Sequence, residues 1–117
     1  MHYDISFSPD RVARIAHLND ILRQTLQGGR IVLTRGVNAL GSSVCSRLIA
    51  ALGAFNDFRR DADDPFGEHD FGAFEVCGRR LFFKIDYYDR SLTAASPDPS
   101  DPHVTIRVLT VMLPEEY

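Results

Sequence analysis

The chain has 117 residues, of which 44% are hydrophobic and 25% are charged, and its formal net charge is −3. A chain of this length and balance can bury a core of its own, so disorder of the whole chain is excluded and residues 1–117 are predicted to form a single domain. No apolar run approaches the roughly 20 residues that cross a bilayer, and the N-terminus lacks the features of a signal peptide. We therefore expect a cytoplasmic protein without membrane contact.

The net charge conceals an asymmetry between the two halves of the chain. Residues 1–56 carry six Arg and three Asp, a net +3, whereas residues 57–117 carry seven basic and thirteen acidic groups, a net −6. A protein that binds duplex DNA needs a basic stripe along the phosphates, and the spacing of these arginines does not supply one, so DNA binding is not expected. The acidic half favours a protein partner with a basic surface.

Common signatures of enzymes and cofactor sites are missing from the sequence. There is no nucleophile elbow, phosphate-binding glycine loop or zincin helix. Cys45 and Cys77 have no metal-binding or redox spacing and are expected to be free thiols in a reducing compartment. We therefore expect no cofactor and no metal.

The first predicted element is a helix that begins near Ser8, which suits an N-cap, and ends before Gly28. Asn19 and Asp20 lie inside it, and because such residues oppose helix propensity, one of them is expected to bond to a neighbouring loop. Apolar residues at spacings of three and four predict one buried stripe. Its members are Val12, Ile15, Leu18, Leu22 and Leu26.

A buried strand is predicted over 30–34, followed by a turn at Arg35-Gly36. A second helix is predicted from Ser42 or Ser43 to about Leu52. An acidic loop over 57–70 then leads into two strands over 71–76 and 79–88, and a Pro-rich loop over 89–103 leads into a last strand over 104–113. The element order α, β, α, β, β, β predicts an α+β fold, with a small, mostly antiparallel sheet and two helices packed on one face.

Cys77-Gly78 is predicted to be the two-residue turn of a hairpin between the second and third strands. The position of this turn fixes the register of the two strands. It places Glu75 opposite Arg80 and Phe71 opposite Lys84. Where the hairpin opens, the same register places His69 opposite Asp86.

The candidate site is the strand face that carries Lys84, Asp86 and Tyr88. The register brings His69 beside Asp86, and alternation in the last strand allows Arg107 to join the same surface. A carboxylate beside an imidazole fixes its tautomer, which would make His69 a general acid or base. The catalytic residues predicted on this basis are His69, Asp86 and Lys84.

A cation site in the acidic loop is a further possibility that the residues raise. Asp64, Glu68, His69 and Asp70 offer oxygen and imidazole ligands for a divalent ion. Adjacent residues of an extended chain point to opposite sides, so Glu68, His69 and Asp70 cannot all reach one ion without a bend. No metal site is predicted there.

Several blocks of the sequence resemble a family of short bacterial proteins described only as a domain of unknown function. The resemblance extends from about Ala13 to Tyr117. Its blocks are Leu18-Asn19-Asp20 with Arg23, Gly29 followed by Thr34-Arg35-Gly36-Val37, Asp64-Pro65-Phe66-Gly67-Glu68-His69-Asp70-Phe71-Gly72, Lys84-Ile85-Asp86-Tyr87-Tyr88-Asp89, Ser96-Pro97-Asp98-Pro99 and Arg107-Val108-Leu109-Thr110. The resemblance implies proteins that are common on plasmids and integrative elements, with an accessory or anti-defence role, and it supplies no established chemistry.

Two functional hypotheses follow. The first is a non-catalytic binding protein whose acidic loops and polar strand face engage a protein partner. The second is a small hydrolytic enzyme, metal-assisted or acid/base, that uses His69 and Asp86. Arg35 follows a buried strand and is expected to pair with the acidic loop. The residues predicted to bind a partner are Asp64, Glu68, Asp70, Tyr88, Arg107 and Arg35.

Overall fold

The computed structural model describes residues 9–117 and confirms the predicted α+β class. Its helices are α1 (Pro9–Thr25), α2 (Arg35–Asn38) and α3 (Ser42–Ala54), and a 3-10 helix spans Pro114–Glu116. Its strands are β1 (Arg30–Leu33), β2 (Phe71–Val76), β3 (Arg79–Tyr88) and β4 (Ile106–Met112). The cap predicted at Ser8 lies outside the described residues.

The four strands form one sheet in the order β1-β4-β3-β2. β1 runs parallel to β4, and the other two pairings are antiparallel. The predicted hairpin register is confirmed, with Glu75 opposite Arg80 and Phe71 opposite Lys84. Cys77 and Gly78 both have positive φ, 53° and 77°, as a primed hairpin turn requires.

The core lies between one face of the sheet and the two long helices. Leu22 of α1 and Leu48 and Leu52 of α3 pack against the sheet residues that point toward them. Those sheet residues include Phe74, Leu81, Phe83, Ile85, Leu109 and Val111. None of the helices in residues 9–117 is long and apolar enough to span a membrane.

The buried face of α1 differs from the predicted apolar stripe. Ile15 and Leu22 are buried as predicted, but Leu26 is exposed at the end of the helix and Leu18 is only half-buried. Asn19 and Arg23 occupy the buried face instead. Helical spacing aligns both polar residues with Ile15 and Leu22, so α1 presents a partly polar surface to the rest of the protein.

The turn predicted at Arg35-Gly36 is a one-turn helix, α2. The Thr34 hydroxyl accepts a hydrogen bond from the Val37 amide at 3.3 Å and so caps the helix. Glu116 of the 3-10 helix reinforces this end, because its carboxylate accepts bonds from the Thr34 hydroxyl and the Gly36 amide. The prediction that Arg35 pairs with the acidic loop is wrong: the residue is exposed and forms no ion pair within residues 9–117.

A glycine in β2 permits the close packing of the aromatic core. A Cβ atom at Gly72 would lie 2.5 Å from the Phe83 ring and 2.6 Å from the Phe55 ring. The Gly72→Ala variant is expected to lose about 1–3 kcal/mol of unfolding free energy, because the two rings must shift in a packed interior. Urea denaturation measures this loss.

The matched control is Gly53→Ala in α3. A Cβ there meets only ordinary van der Waals contacts, the nearest at 3.7 Å. Alanine favours helix more than glycine does, so this variant is expected to be neutral or slightly stabilising. Equal unfolding free energies for the two variants would contradict the packing described for Gly72.

Candidate functional site

His69 and Asp86 do not meet, so the predicted pairing is wrong. The hairpin register extends to a bond from the Ile85 amide to the Asp70 carbonyl, but His69 has a φ of +59°. That left-handed residue breaks the alternation of the strand and turns the imidazole toward α1. Asp86 lies on the opposite face of the sheet, where its carboxylate pairs with Lys84 at 2.9 Å.

The actual carboxylate partner of His69 is Asp20 of α1. Its two oxygens lie 3.0 and 3.2 Å from His69 Nδ1. The imidazole also stacks on the Phe58 ring, with centroids 4.1 Å apart and planes 6° apart. A hydrogen bond on one edge and a ring on one face fix the orientation of the imidazole.

Asp64 is buried, although it is among the residues predicted to bind a partner. It is 1% exposed, and its Oδ1 accepts a bond from the His69 amide at 3.2 Å. Its Oδ2 lies 4.0 Å from His69 Nε2, beyond hydrogen-bonding distance. Asp64 therefore shapes the loop around His69 and does not face solvent.

Arg107 is also on the opposite face from the one predicted. It lies opposite Tyr87 in the β3–β4 register, and this places it on the helix side of the sheet, 2% exposed. Its Nε donates to Asn19 Oδ1 at 2.8 Å, and its terminal nitrogen donates to the Pro99 carbonyl. The guanidinium also lies over the Tyr87 ring, 5.2 Å from the centroid.

Asn19 completes this buried network, which we call the Arg107 hub. Its side-chain nitrogen donates to the Glu68 carbonyl at 2.9 Å and to the Tyr87 hydroxyl at 2.8 Å. The Tyr87 hydroxyl in turn donates to Glu68 Oε1 at 2.9 Å. The prediction that Asn19 or Asp20 bonds to a neighbouring loop is confirmed, because Asn19 reaches Glu68 and Asp20 reaches His69.

Burial changes the acidity of both ionisable groups at the centre of the hub. Desolvation raises the pKa of Tyr87 far above its ordinary value, so the phenol stays neutral and can donate to Glu68. Desolvation also lowers the pKa of Arg107, and the nearby Tyr87 and Glu68 oppose that change.

Arg23 of α1 forms hydrogen bonds to the C-terminal end of α3. Its Nη1 donates to three main-chain carbonyls, those of Leu52, Gly53 and Phe55, and its Nη2 pairs with Asp20 at 2.9 Å. Through Asp20, this anchor holds the carboxylate that orients His69.

A second surface, the outer cleft, lies on the face of the sheet away from the helices. It has a volume of about 490 Å³. The residues that line it include Asp63, Phe66, Asp70, Phe71, Lys84, Asp86 and Tyr117. The Tyr117 ring contacts Phe71 edge-on, with centroids 5.5 Å apart, and is itself 74% exposed.

Asp70 is the electrostatically unusual group of the outer cleft. Within residues 9–117 its carboxylate has no cationic partner, because Lys84 is paired with Asp86. Burial, and secondarily the negative charge of Glu68, raise the pKa of Asp70 to about 6. A half-buried carboxylate without a counter-charge is favourable to cation binding.

The structure divides the predicted site residues among separate places. Asp70, Lys84 and Asp86 meet in the outer cleft, whereas Glu68 and Arg107 belong to the hub. His69 and Asp64 adjoin α1. Tyr88 ends β3 with 36% exposure, and Arg35 begins α2. Nothing in these positions assigns a binding role to the last two.

A ligand set for a metal does not form in the part of the chain that the structure describes. No three His, Cys, Asp or Glu side chains of residues 9–117 come together in a way that could hold an ion. Both cysteines are free thiols.

The chain belongs to the family described as "Protein of unknown function (DUF3768)", whose model matches residues 33–116. The match includes α2, α3 and strands β2 to β4, and it begins after α1. No curated protein and no solved structure matches the chain with significant similarity.

Several residues around these sites were not among the predicted site residues. Asp20, Arg60 and Phe66 line a cleft with His69, and Phe58 supports its ring. One feature of the sequence pointed to this region. The Asn19-Asp20 pair lies inside a predicted helix, and it predicted that this part of α1 bonds to a neighbouring loop.

The raised pKa of Asp70 predicts a gain in stability on removing its charge. Because the folded-state pKa of about 6 exceeds the ordinary 3.8, ionisation of Asp70 costs the folded state free energy above that range. Asp70→Asn is expected to be more stable than the wild type at neutral pH, by on the order of 1 kcal/mol after allowance for solvent screening. The difference in unfolding free energy between Asp70→Asn and the wild type should shrink as the pH falls through 6 toward 4.

Urea denaturation over a pH series measures this effect. Asp63→Asn removes an exposed acid from the same loop and is the control, with no comparable pH-dependent gain expected. A constant difference between Asp70→Asn and wild type at every pH would show that Asp70 is not buried without a counter-charge.

Proposed function

We propose that this protein is a non-catalytic binding protein that engages a protein partner through the acidic loop 57–70 and the outer cleft. The partner presents lysine or arginine side chains on its surface. The observation that carries the proposal is the half-buried, unpaired carboxylate of Asp70 in a cleft with exposed aromatic walls.

Charge supports a basic partner. The loop 57–70 carries six acidic and two basic residues, a net −4. Asp61 and Asp63 are exposed, and the Arg59 charge is already paired with Asp57 at 2.9 Å. Such a surface accelerates encounter with a cationic surface and disfavours an acidic one.

Two exposed aromatic rings supply the apolar part of the interface. Phe66 and Tyr117 are each 74% exposed and line the outer cleft beside Asp70. Aromatic residues often dominate the binding energy of protein interfaces, and they also attract cationic side chains through their ring faces. An arginine from the partner would therefore meet both a carboxylate and an aromatic wall.

The resemblance to proteins of plasmids and integrative elements gives this proposal a biological setting. It suggests an accessory or anti-defence protein that acts in the cytoplasm on a host factor with a basic surface. Acidic surfaces are suited to factors that themselves bind nucleic acid.

A hydrolytic enzyme built on His69 and Asp86, the alternative from the sequence, has less support. The two side chains point to opposite faces of the sheet, and Asp86 is paired with Lys84. The imidazole instead lines a different cleft, beside α1.

Affinity capture with matched variants tests the proposal. The immobilised protein is expected to retain a partner from a lysate of the source cells, and calorimetry on that purified partner gives its Kd. Asp70→Asn and Phe66→Ala are each expected to weaken binding by roughly tenfold or more, the cost of a lost charged contact or aromatic anchor. The controls are Asp10→Asn and Leu92→Ala, which remove one exposed charge and one exposed apolar side chain outside the outer cleft.

The pH dependence provides a second readout of the same experiment. Only the ionised carboxylate attracts a cation, so affinity should fall as the pH is lowered through about 6, and Asp70→Asn should lose that dependence. A partner that binds both cleft variants and both controls equally would contradict the proposal, as would a purified partner with an acidic surface.

A further inference from the structure

A cleft separate from the outer one opens between α1 and the loop 57–70. Its volume is about 610 Å³. His17, Asp20, Arg60 and His69 provide its polar lining, and Val12, Ala13, Ala16 and Phe66 provide its apolar lining. We call it the imidazole cleft. Its polar groups do not line the outer cleft, although Phe66 lines both.

His69 is held in one orientation, with one ring nitrogen left available. Nδ1 is bonded to Asp20, and one ring face is covered by Phe58. Nε2 has no hydrogen-bond partner within the described residues, because the nearest carboxylate oxygen, Asp64 Oδ2, is 4.0 Å away. The backbone at this residue is left-handed, a conformation that costs free energy and is common at binding sites. A fixed imidazole with a vacant nitrogen suits the capture of a ligand.

The Arg60 side chain lines the same cleft and lies against Gly67. Gly67 has a φ of +75°, and a Cβ there would lie 2.9 Å from Arg60 Nη1, so glycine both permits the turn and leaves room for the guanidinium. Arg60 forms no ion pair within the described part of the chain. Its charge is therefore free to meet a ligand.

The carboxylates near the cleft are already committed to other groups. Asp20 is shared between Arg23 and His69, and Asp64 is buried against the His69 amide. Within the described residues, the uncommitted groups of the cleft are the Arg60 guanidinium, the His17 imidazole and Nε2 of His69. The first two can donate hydrogen bonds to an oxyanion. Because Nδ1 of His69 donates to Asp20, Nε2 donates to an oxyanion only when both ring nitrogens carry a proton.

We propose that the imidazole cleft binds a small molecule that carries an oxyanion, a phosphate or a carboxylate, attached to an apolar or aromatic body. Arg60 and His69 Nε2 contact the oxyanion, and His17 lies beside it. Phe66 and the small residues of α1 pack against the body of the ligand. Asp20 and Phe58 act as positioning residues for the imidazole.

Imidazole ¹H–¹⁵N spectra with defined probes test this site. Inorganic phosphate, acetate and phenyl phosphate are titrated separately at constant pH and ionic strength. Saturable shifts are expected at His69 and His17, with none at His103, which lies in the loop 89–103 and serves as an internal reference. The ratio of the phosphate and acetate affinities identifies the oxyanion, and tighter binding of phenyl phosphate than of phosphate would support the apolar wall.

Neighbouring arginines supply the matched variants. Arg60→Gln is expected to weaken phosphate binding by roughly tenfold, whereas Arg59→Gln, whose side chain pairs with Asp57 outside this cleft, should leave it within about twofold. Phe66→Ala should remove the preference for phenyl phosphate and leave binding of phosphate itself unchanged.

Linear, unsaturated shifts at all the imidazoles would overturn the proposal, since they would report only a general salt effect. Equal losses in the Arg59 and Arg60 variants would also overturn it. The arginine variants separate this proposal from partner capture, because Arg60 does not line the outer cleft and Asp70→Asn leaves the polar lining of the imidazole cleft intact.

Discussion

The buried contact between Arg107 and Asn19 is the interaction on which the arrangement of this protein depends. A buried guanidinium is costly unless its donors are bonded, and here they reach α1 through Asn19 and the loop 89–103 through the Pro99 carbonyl. Asn19 carries the connection onward to the Glu68 carbonyl and the Tyr87 hydroxyl. One polar network therefore fixes a helix, two strands and two long loops against each other, where apolar packing alone would leave the loops without a defined position.

This network explains why both clefts border the same short segment. Glu68 is bonded to Asn19 and Tyr87, and the next two residues turn in different directions: His69 faces α1, while Asp70 lines the outer cleft. A loop anchored at Glu68 can thus present an imidazole on one side and a carboxylate on the other. Phe66 lies between the two clefts and lines both of them.

The parts of the fold that local rules determine were predictable from the sequence. The turn at Cys77-Gly78 sets the hairpin register, and that register is confirmed residue by residue along β2. The prediction from strand alternation fails at His69, because this residue has a positive φ. A positive φ in a residue other than glycine cannot be recognised from the sequence. Arg107 was assigned to the wrong face because arginine is rarely buried, and both faces of β4 carry apolar residues. The inward position is made favourable by tertiary contacts with Asn19, the Pro99 carbonyl and the Tyr87 ring, which no local pattern in the sequence predicts.

The most direct test of this account is native-state hydrogen exchange on Arg107→Met, which keeps a long side chain but removes the charge and its bonds. Faster exchange is expected at the amides of residues 67–70 and at those of Asp98, Ser100 and Asp101, while the amides of the hairpin next to Cys77-Gly78 keep their protection. Faster exchange confined to residues 98–101, with His69 and Asp70 unchanged, would contradict it, because the loop that borders both clefts would then be held independently of Arg107.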